Sequence, residues 1–408
     1  MHILYLHQYF ALPQGSTGTR SYELARRWVK AGHQVTLICG VTDQSGVDPK
    51  GQKRIEIQTE GIRVLALNTK YSNSLSFVAR VWAFVKFMLL SFWVALKIKD
   101  VDMIYATSTP LTIGIPAMLL KWFKRVPFIF EVRDQWPQIP IEMGYIRSPL
   151  LKKFLLWLEK RIYKSSVAIV ALSPGMAKGA REVLGPIQKD VIIASNSSDT
   201  QLFHPDVDGS QIRIQQGWQD KFVVLHFGAM GRANGLDFLI DAAQGLKGTP
   251  EIHFVIIGEG SEKPRLRSRI EELGLKNIEI LDTFPKKKMP EIVAACNVST
   301  VVFANYPILE HNSANKFFDS ISAAKPILLN YSGWQRDIIE QNECGFGCTL
   351  YDIKEYTDKL LNLYENRETL FKMGQNGRKL AEAEFDRDLI SNRILTMIEN
   401  VNSQHPKK

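Results

Sequence analysis

The chain has 408 residues, 45% of them hydrophobic and 23% charged, an ordinary globular balance that excludes disordered, collagen-like and disulfide-stapled classes. Four scattered cysteines (Cys39, Cys296, Cys344, Cys348) make no secreted framework and point to a reducing compartment. The net charge of +9 is uneven, +12 over 1–200 and −3 over the remainder, so the front half calls for an anionic partner.

The opening MHILYLHQYF has no basic n-region and reads as a buried strand at 3–6, not as a signal peptide. A helix is predicted over 19–32, then strands at 34–39 and 63–68. The stretch 76–99 is aromatic and greasy, but Lys86 interrupts it. The uncharged piece 87–96 is half the roughly 20 residues that a bilayer crossing needs. Strands at 102–107, 127–132, 167–173 and 191–196 alternate with two more apolar and basic helical stretches, 110–125 and 148–164. In the second of these, Leu150, Leu151, Phe154, Leu155, Leu158 and Ile162 recur at helical spacing among Lys152, Lys153, Lys160, Arg161 and Lys164. Such faces suit the headgroup region of an anionic membrane surface, or packing on a sheet.

The polar run 199–219 reads as a linker. Beyond it strands are predicted at 222–228, 252–258, 277–282, 298–303 and 326–330, with helices between them. The fold class expected is α/β, with two Rossmann-like domains facing each other across a cleft. The domains run over 1–198 and 220–384, and a last helix near 385–400 crosses back to the first. In such sheets ligands bind where strand carboxyl ends meet helix N-termini.

Three glycine-bearing turns fall at those places. GSTGTR (15–20) opens the first helix. FGAMGRANG carries Gly228, Gly231 and Arg232, and IIGEG delivers Gly258, Glu259 and Gly260. Small residues admit a ligand to the backbone, and a fixed cation clamps phosphate. Neither GxGxxG nor GxxxxGK[ST] is present, so nicotinamide enzymes and P-loop kinases are not indicated. The strongest local signal is NYPILEHNSANKFFDSISAAKPILLN (305–330), where a polar loop runs into a helix starting at Asn315 and Lys316. That start would neutralise a diphosphate, and Asp319, one helical step on, could accept ribose hydrogen bonds. The DxD strings at 100–102, 206–208 and 386–388 read as solvated charges, and no metal site is expected.

Taken together, QYFALPQGSTGTRSYELARRWVKAGHQVTLICG, RDQWP, ALSPGM, SNSSDTQLF, FGAMGRANGLDFLIDAA, IIGEGSEKPRL, FPKKKMPEIVAACNV and SANKFFDSISAAKPIL resemble, in order, a family-4 retaining glycosyltransferase of the GT-B fold. The likeness is greatest to the bacterial O-antigen and capsule branch of proposed N-acetyl-L-fucosamine transferases. The resemblance implies a second domain that binds a UDP-sugar and a first domain that binds the acceptor. It puts Gly18 beside the diphosphate, with Gly15, Thr19 and Arg20 on the acceptor side. Asp134 would touch the transferred sugar, and Arg232 and Lys316 would meet the diphosphate. Phe284 and Pro285 would line the base pocket. Ser313, Ala314 and Asn315 would hold sugar and phosphates, and Asp319 the ribose. Glu310 stands one residue off the family's first acidic position, where His311 falls. Asn234 stands near the usual place of a second cation, and Ala324 replaces a glycine.

The implied reaction needs no cofactor or metal beyond the UDP-sugar co-substrate. The implied partners are that donor, a polyprenyl-diphosphate-linked saccharide and an anionic membrane surface, with no nucleic acid. The implied place is the cytoplasm, at the inner leaflet of a bacterial plasma membrane. Two alternatives share the expected fold: a UDP-HexNAc epimerase, and an inactive sugar-nucleotide-binding scaffold.

Overall fold

The computed structural model describes residues 1–15, 18–42, 45–71, 77–349 and 351–405. Ser16 and Thr17 of the first glycine loop, and Ser76 at the head of the aromatic stretch, lie outside them. The chain divides into two units, Met1–Ser195 with Asp388–Lys408, and Asn196–Arg387.

The first unit is built on β1 (His2–Leu6), β2 (Gln34–Thr42), β3 (Arg54–Thr59), β4 (Ile62–Tyr71), β5 (Met103–Thr107), β6 (Phe128–Val132), β7 (Ala168–Ala171) and β8 (Asp190–Ile193). They form one sheet in the order β3-β4-β2-β1-β5-β6-β7-β8, parallel except for the β3–β4 pair. Every residue of β1, β5, β6 and β7 is buried, as parallel strands covered on both faces must be. β3 is absent from the sequence reading. Its RIEIQT alternates like a half-exposed edge strand and joins β4 through Glu60 and Gly61, both at positive φ (44° and 78°), as a tight hairpin requires.

Helix Phe77–Leu96 shows two opposed faces. Phe87, Phe92 and Ala95 enter the core, while Val78, Trp82, Leu89 and Trp93 form an exposed stripe. By length and composition alone Val78–Leu96 could cross a membrane, but its buried face is committed to the sheet. The last helix, Arg387–Gln404, puts Ile390, Ile394, Leu395, Met397, Ile398 and Val401 into the first unit's core against β1 and β2.

The second unit holds β9 (Phe222–Phe227), β10 (Ile252–Ile257), β11 (Ile278–Leu281), β12 (Val298–Val301), β13 (Ile327–Leu329) and β14 (Gly345–Gly347). All are parallel, in the order β11-β10-β9-β12-β13-β14. The run 199–219 is not a linker. It carries helix Ser210–Gln216, and Phe203, Ile212 and Trp218 pack against Val223 and Leu225 of β9. The Trp218 indole N–H donates to Glu279 at 2.8 Å, which lets so large a ring be buried amid polar sequence.

Ending the chain after Asp386 should strip six buried side chains from the first unit. At about 1.5–3 kcal/mol each, the loss rivals the roughly 5–15 kcal/mol net stability of a domain. The truncated protein is therefore expected to be insoluble or to melt well below the full chain by differential scanning fluorimetry. An unchanged melting temperature would show that the helix is dispensable.

Candidate functional site

In the second unit the turns after β9 and β10 are zipped together beyond the ends of their strands. The Gly228 N–H donates to the Ile257 carbonyl (2.9 Å), the Met230 N–H to Glu259 (2.8 Å) and the Glu262 N–H back to Met230 (3.0 Å). A Cβ on Gly258 would lie 1.8 Å from the Gly228 carbonyl oxygen, so no side chain fits there. Gly231 leads into a short 3-10 turn, Arg232–Asn234, on which Arg232 is exposed and makes no ion pair among the described residues. Glu259 is less available, because the buried Lys263 ammonium bridges it and Asp282, each at 2.5 Å.

Helix Asn315–Ser322 begins on the same carboxyl side of the sheet, with Ala314 before it in extended backbone. Lys316 is buried (9% exposed), and its Nζ lies 2.9 Å from Nε2 of His226 on β9. The other ring nitrogen, Nδ1, is 3.2 Å from the Thr300 carbonyl. No carboxylate pairs with Lys316 among the described residues, and burial pushes its pKa down to about 7. Burial, then the neighbouring Lys316 charge, holds His226 well below the usual imidazole range. Gly228, at φ +132°, passes so close that a Cβ there would sit 3.2 Å from Lys316 Nζ.

Asp319 is half-buried and accepts the Ser198 hydroxyl at 3.1 Å. Burial lifts its pKa to about 6, against the pull of Arg387, the Ser198 hydroxyl and Lys286. Ser313 is largely taken up inside the fold, its hydroxyl oxygen receiving the Asn196 N–H (3.1 Å) and its carbonyl the Asn196 amide (2.5 Å). Asn315 is exposed, and Glu310 is half-buried in the 3-10 turn Pro307–His311 against Gly333. Phe284 and Pro285 follow β11, the phenyl ring partly packed on the core.

In the first unit Asp134 follows β6 and accepts the Thr109 hydroxyl. Gly18 is exposed, whereas Gly15 is buried against the Gly46 turn. Arg20, placed on the acceptor side by the resemblance, is braced inside the first unit. Its guanidinium bonds Glu131 on β6 (3.1 and 2.9 Å) and the carbonyls of Ser195 (2.6 Å) and Ala194 (2.9 Å), and is 8% exposed. Burial opposes its charge, but Glu131, Tyr105 and Tyr5 hold its pKa up. Glu131 is likewise pushed up by burial yet drawn below the ordinary carboxylate range by Arg20 and Arg133, with the Thr107 and Tyr105 hydroxyls. Sequence reasoning passed over His7, whose ring links the Ser21 hydroxyl (2.8 Å) to Arg133 (3.1 Å), and it passed over His226.

Among the described residues no three His, Cys, Asp or Glu side chains gather as metal ligands. Carboxylates of the DxD strings meet partners within the fold: Asp102 the His2 N–H, Asp208 Ser210, Asp386 Thr200 and Asp388 Arg27.

Two buried cations thus differ in what neutralises them. Arg20→Ala leaves Glu131 buried and unpaired and should cost about 3–5 kcal/mol, a clear loss in urea midpoint. Lys316→Met removes a buried charge that has no counter-ion and should leave that midpoint unchanged or raised. The reverse order would show that Lys316, not Arg20, is the structural cation.

Residues 15–196 match the family model described as a glycosyl transferase 4-like domain, and residues 209–380 the one described as glycosyl transferases group 1. The chain is 22% identical over 251 residues to the "Probable glycosyltransferase WbjE" of Pseudomonas aeruginosa, covering 60% of this chain and 62% of that protein. It is 21% identical over 244 residues to the alpha-D-kanosaminyltransferase of Streptomyces kanamyceticus, covering 59% and 61%. The matches therefore span less than two thirds of either relative. Among solved structures, a sucrose-phosphate synthase from Thermosynechococcus elongatus superposes with a TM-score of 0.79 at 15% identity over 99% of both chains. Anabaena HepE in complex with UDP gives 0.73 at 19% over 98% of this chain and 100% of HepE. At these identities the likeness is one of fold.

Proposed function

The chain belongs to the family-4 glycosyltransferases of the GT-B fold, and from that premise we propose that it moves a sugar from a UDP-sugar to a lipid-linked saccharide, with retention at the anomeric carbon. The observation that carries the reading is Lys316, a buried ammonium without a carboxylate, at a helix start and against a glycine turn. Such a cation finds its counter-charge in a ligand, and the geometry suits a diphosphate. In the step proposed, the bond from the anomeric carbon to the β-phosphate oxygen breaks and its electron pair stays on the diphosphate. The acceptor hydroxyl oxygen bonds the same carbon from the same face, and its proton passes to the departing phosphate oxygen. Lys316, the exposed Arg232 and the helix N-terminus stabilise the developing charge, so no metal is needed. Asp134, oriented by Thr109, contacts the transferred sugar, and Asp319 the ribose.

The donor sugar proposed is an N-acetylated deoxyhexosamine such as N-acetyl-L-fucosamine. The acceptor proposed is a polyprenyl-diphosphate-linked saccharide of O-antigen, capsule or exopolysaccharide synthesis. The motif likeness supports these choices, and the UDP complex of HepE supports the nucleotide.

An acceptor of that kind sits in a bilayer, and the first unit has a surface to meet it. Helices Phe77–Leu96, Gly114–Lys124 and Pro149–Ser165 lie side by side, with the Phe92 ring tilted against Phe123 (centroids 5.6 Å apart) and Gly114 tight against Ile162. Across them Trp82, Trp93, Trp122, Phe123, Leu150, Phe154 and Trp157 are exposed, with Lys153, Lys160 and Arg161 beside them. Aromatic and basic side chains together favour the headgroup layer of the cytoplasmic leaflet.

Mass-spectrometric transfer assays with UDP-, GDP- and dTDP-sugars and short lipid-diphosphate saccharides test the proposal. One sugar residue should be added, unaffected by chelator, and Lys316→Ala or Arg232→Ala should lower turnover about 100-fold or more. Donor interconversion without acceptor would replace the transferase by an epimerase, and nucleotide binding without product by a scaffold. Reversing the charges of Lys152, Lys153, Lys160 and Arg161 should release the protein from anionic vesicles. Unchanged co-sedimentation removes the membrane partner.

A further inference from the structure

His226 occupies a place where a hydrophobic residue would serve the sheet. It lies on β9, the strand between β10 and β12, and is wholly buried. Its tautomer is fixed by its partners. The Thr300 oxygen facing Nδ1 is a carbonyl, which only accepts, so Nδ1 carries the hydrogen. Nε2 therefore presents a lone pair, and the Lys316 ammonium 2.9 Å away donates to it. Thr300 is itself fixed, its hydroxyl donating to the Leu328 carbonyl and receiving the Tyr356 hydroxyl. The chain of bonds thus runs from Tyr356 through Thr300 and His226 to Lys316 without a negative charge.

We propose that His226 is a positioning residue for the anion site: its Nε2 lone pair holds the Lys316 ammonium under the Gly228 turn, leaving two N–H groups for a nucleoside diphosphate. The inference rests on the reading that Lys316 receives the diphosphate. It adds that a neutral acceptor, chosen over a carboxylate, does the holding. A carboxylate in that place would fix the lysine as well but would cancel the charge the ligand needs. It would also repel the phosphates. An imidazole locked as an acceptor orients the ammonium and leaves its charge uncompensated.

A consequence can be measured. With no carboxylate to keep it charged, Lys316 is depressed by burial to about 7, so in the empty site its charge is lost as pH rises through that value. A bound diphosphate favours the charged form, so binding takes up a proton above that pH. Among the described residues His226 is the one titratable group within hydrogen-bond reach of Lys316 Nζ. Asp319, further along the same helix, is acted on by Arg387 and Lys286, and Arg378 of helix Arg367–Glu384 meets the far end at Ser322.

The test is calorimetric titration of the full chain with UDP on either side of pH about 7, in buffers of high and low ionisation enthalpy. Wild-type affinity should fall as pH rises, with proton uptake. Lys316→Arg, which stays charged, should bind with neither effect beyond the titration of UDP itself and of Asp319. His226→Leu should weaken UDP binding about ten- to a hundredfold, the range for losing a hydrogen bond to a charged group. His226→Gln, whose amide oxygen can stand near the place of Nε2, should recover most of that loss, and the shorter His226→Asn should not. A folded His226→Leu protein with wild-type affinity and pH profile overturns the inference. If His226→Leu does not fold, equal affinities for the Gln and Asn variants overturn it. Lys316→Ala binding UDP as well as wild type would sink the diphosphate reading itself. Lys316→Ala binding weakly while the His226 variants are silent would sink the positioning role alone.

Discussion

The contact between Gly258 and the Gly228 carbonyl sets the geometry on which the candidate site depends. Two neighbouring parallel strands normally part once their ladder ends. Here the turns after β9 and β10 continue to exchange backbone hydrogen bonds, which only a residue without a Cβ at 258 permits. The Gly228 turn is thereby held down over the head of helix Asn315–Ser322, and Lys316 lies against it. The backbone thus brings the glycine turn and the helix start together, with Lys316 between them.

The first unit shows the same materials used differently. Arg20 and Lys316 are both cations in the first turn of a helix on the carboxyl side of a parallel sheet, and both are buried. Arg20 meets a carboxylate and two backbone carbonyls, so its charge and donors are consumed within the fold. Lys316 meets an imidazole lone pair, and no carboxylate among the described residues offsets the burial that lowers its pKa to about 7. What distinguishes the two cations is the partner each meets, not its place on the helix.

That distinction explains how far the sequence could be read. Buried parallel strands are nearly continuous apolar runs, so β1, β5, β6, β9 and β10 are visible as such in the sequence. The glycine turns and the 315–322 helix were visible for the same local reason. β3 was not, because an edge strand that alternates charged and apolar residues over six positions resembles any polar loop. Residues 199–219 read as a linker because Phe203, Ile212 and Trp218 reach the core without a regular period. The roles of Arg20 and His226 lay beyond local pattern altogether. Glu131 is 111 residues from Arg20, and Lys316 is 90 from His226, so only the fold brings each pair together.

Burial also gives the 315–322 helix an electrical character that its sequence conceals. The same desolvation that lowers Lys316 to about 7 raises Asp319 to about 6. The two shifts converge because each disfavours its group's charged form. In the empty site burial therefore works against both charges, the Asp319 carboxylate and the Lys316 ammonium. A ligand with a diphosphate at one end and ribose hydroxyls at the other acts on both. The phosphates favour the ammonium, and hydroxyls donating to Asp319 favour its carboxylate. On the proposed reading a nucleoside diphosphate acts on both groups of a helix whose charges burial disfavours, and a lone phosphate on only one of them.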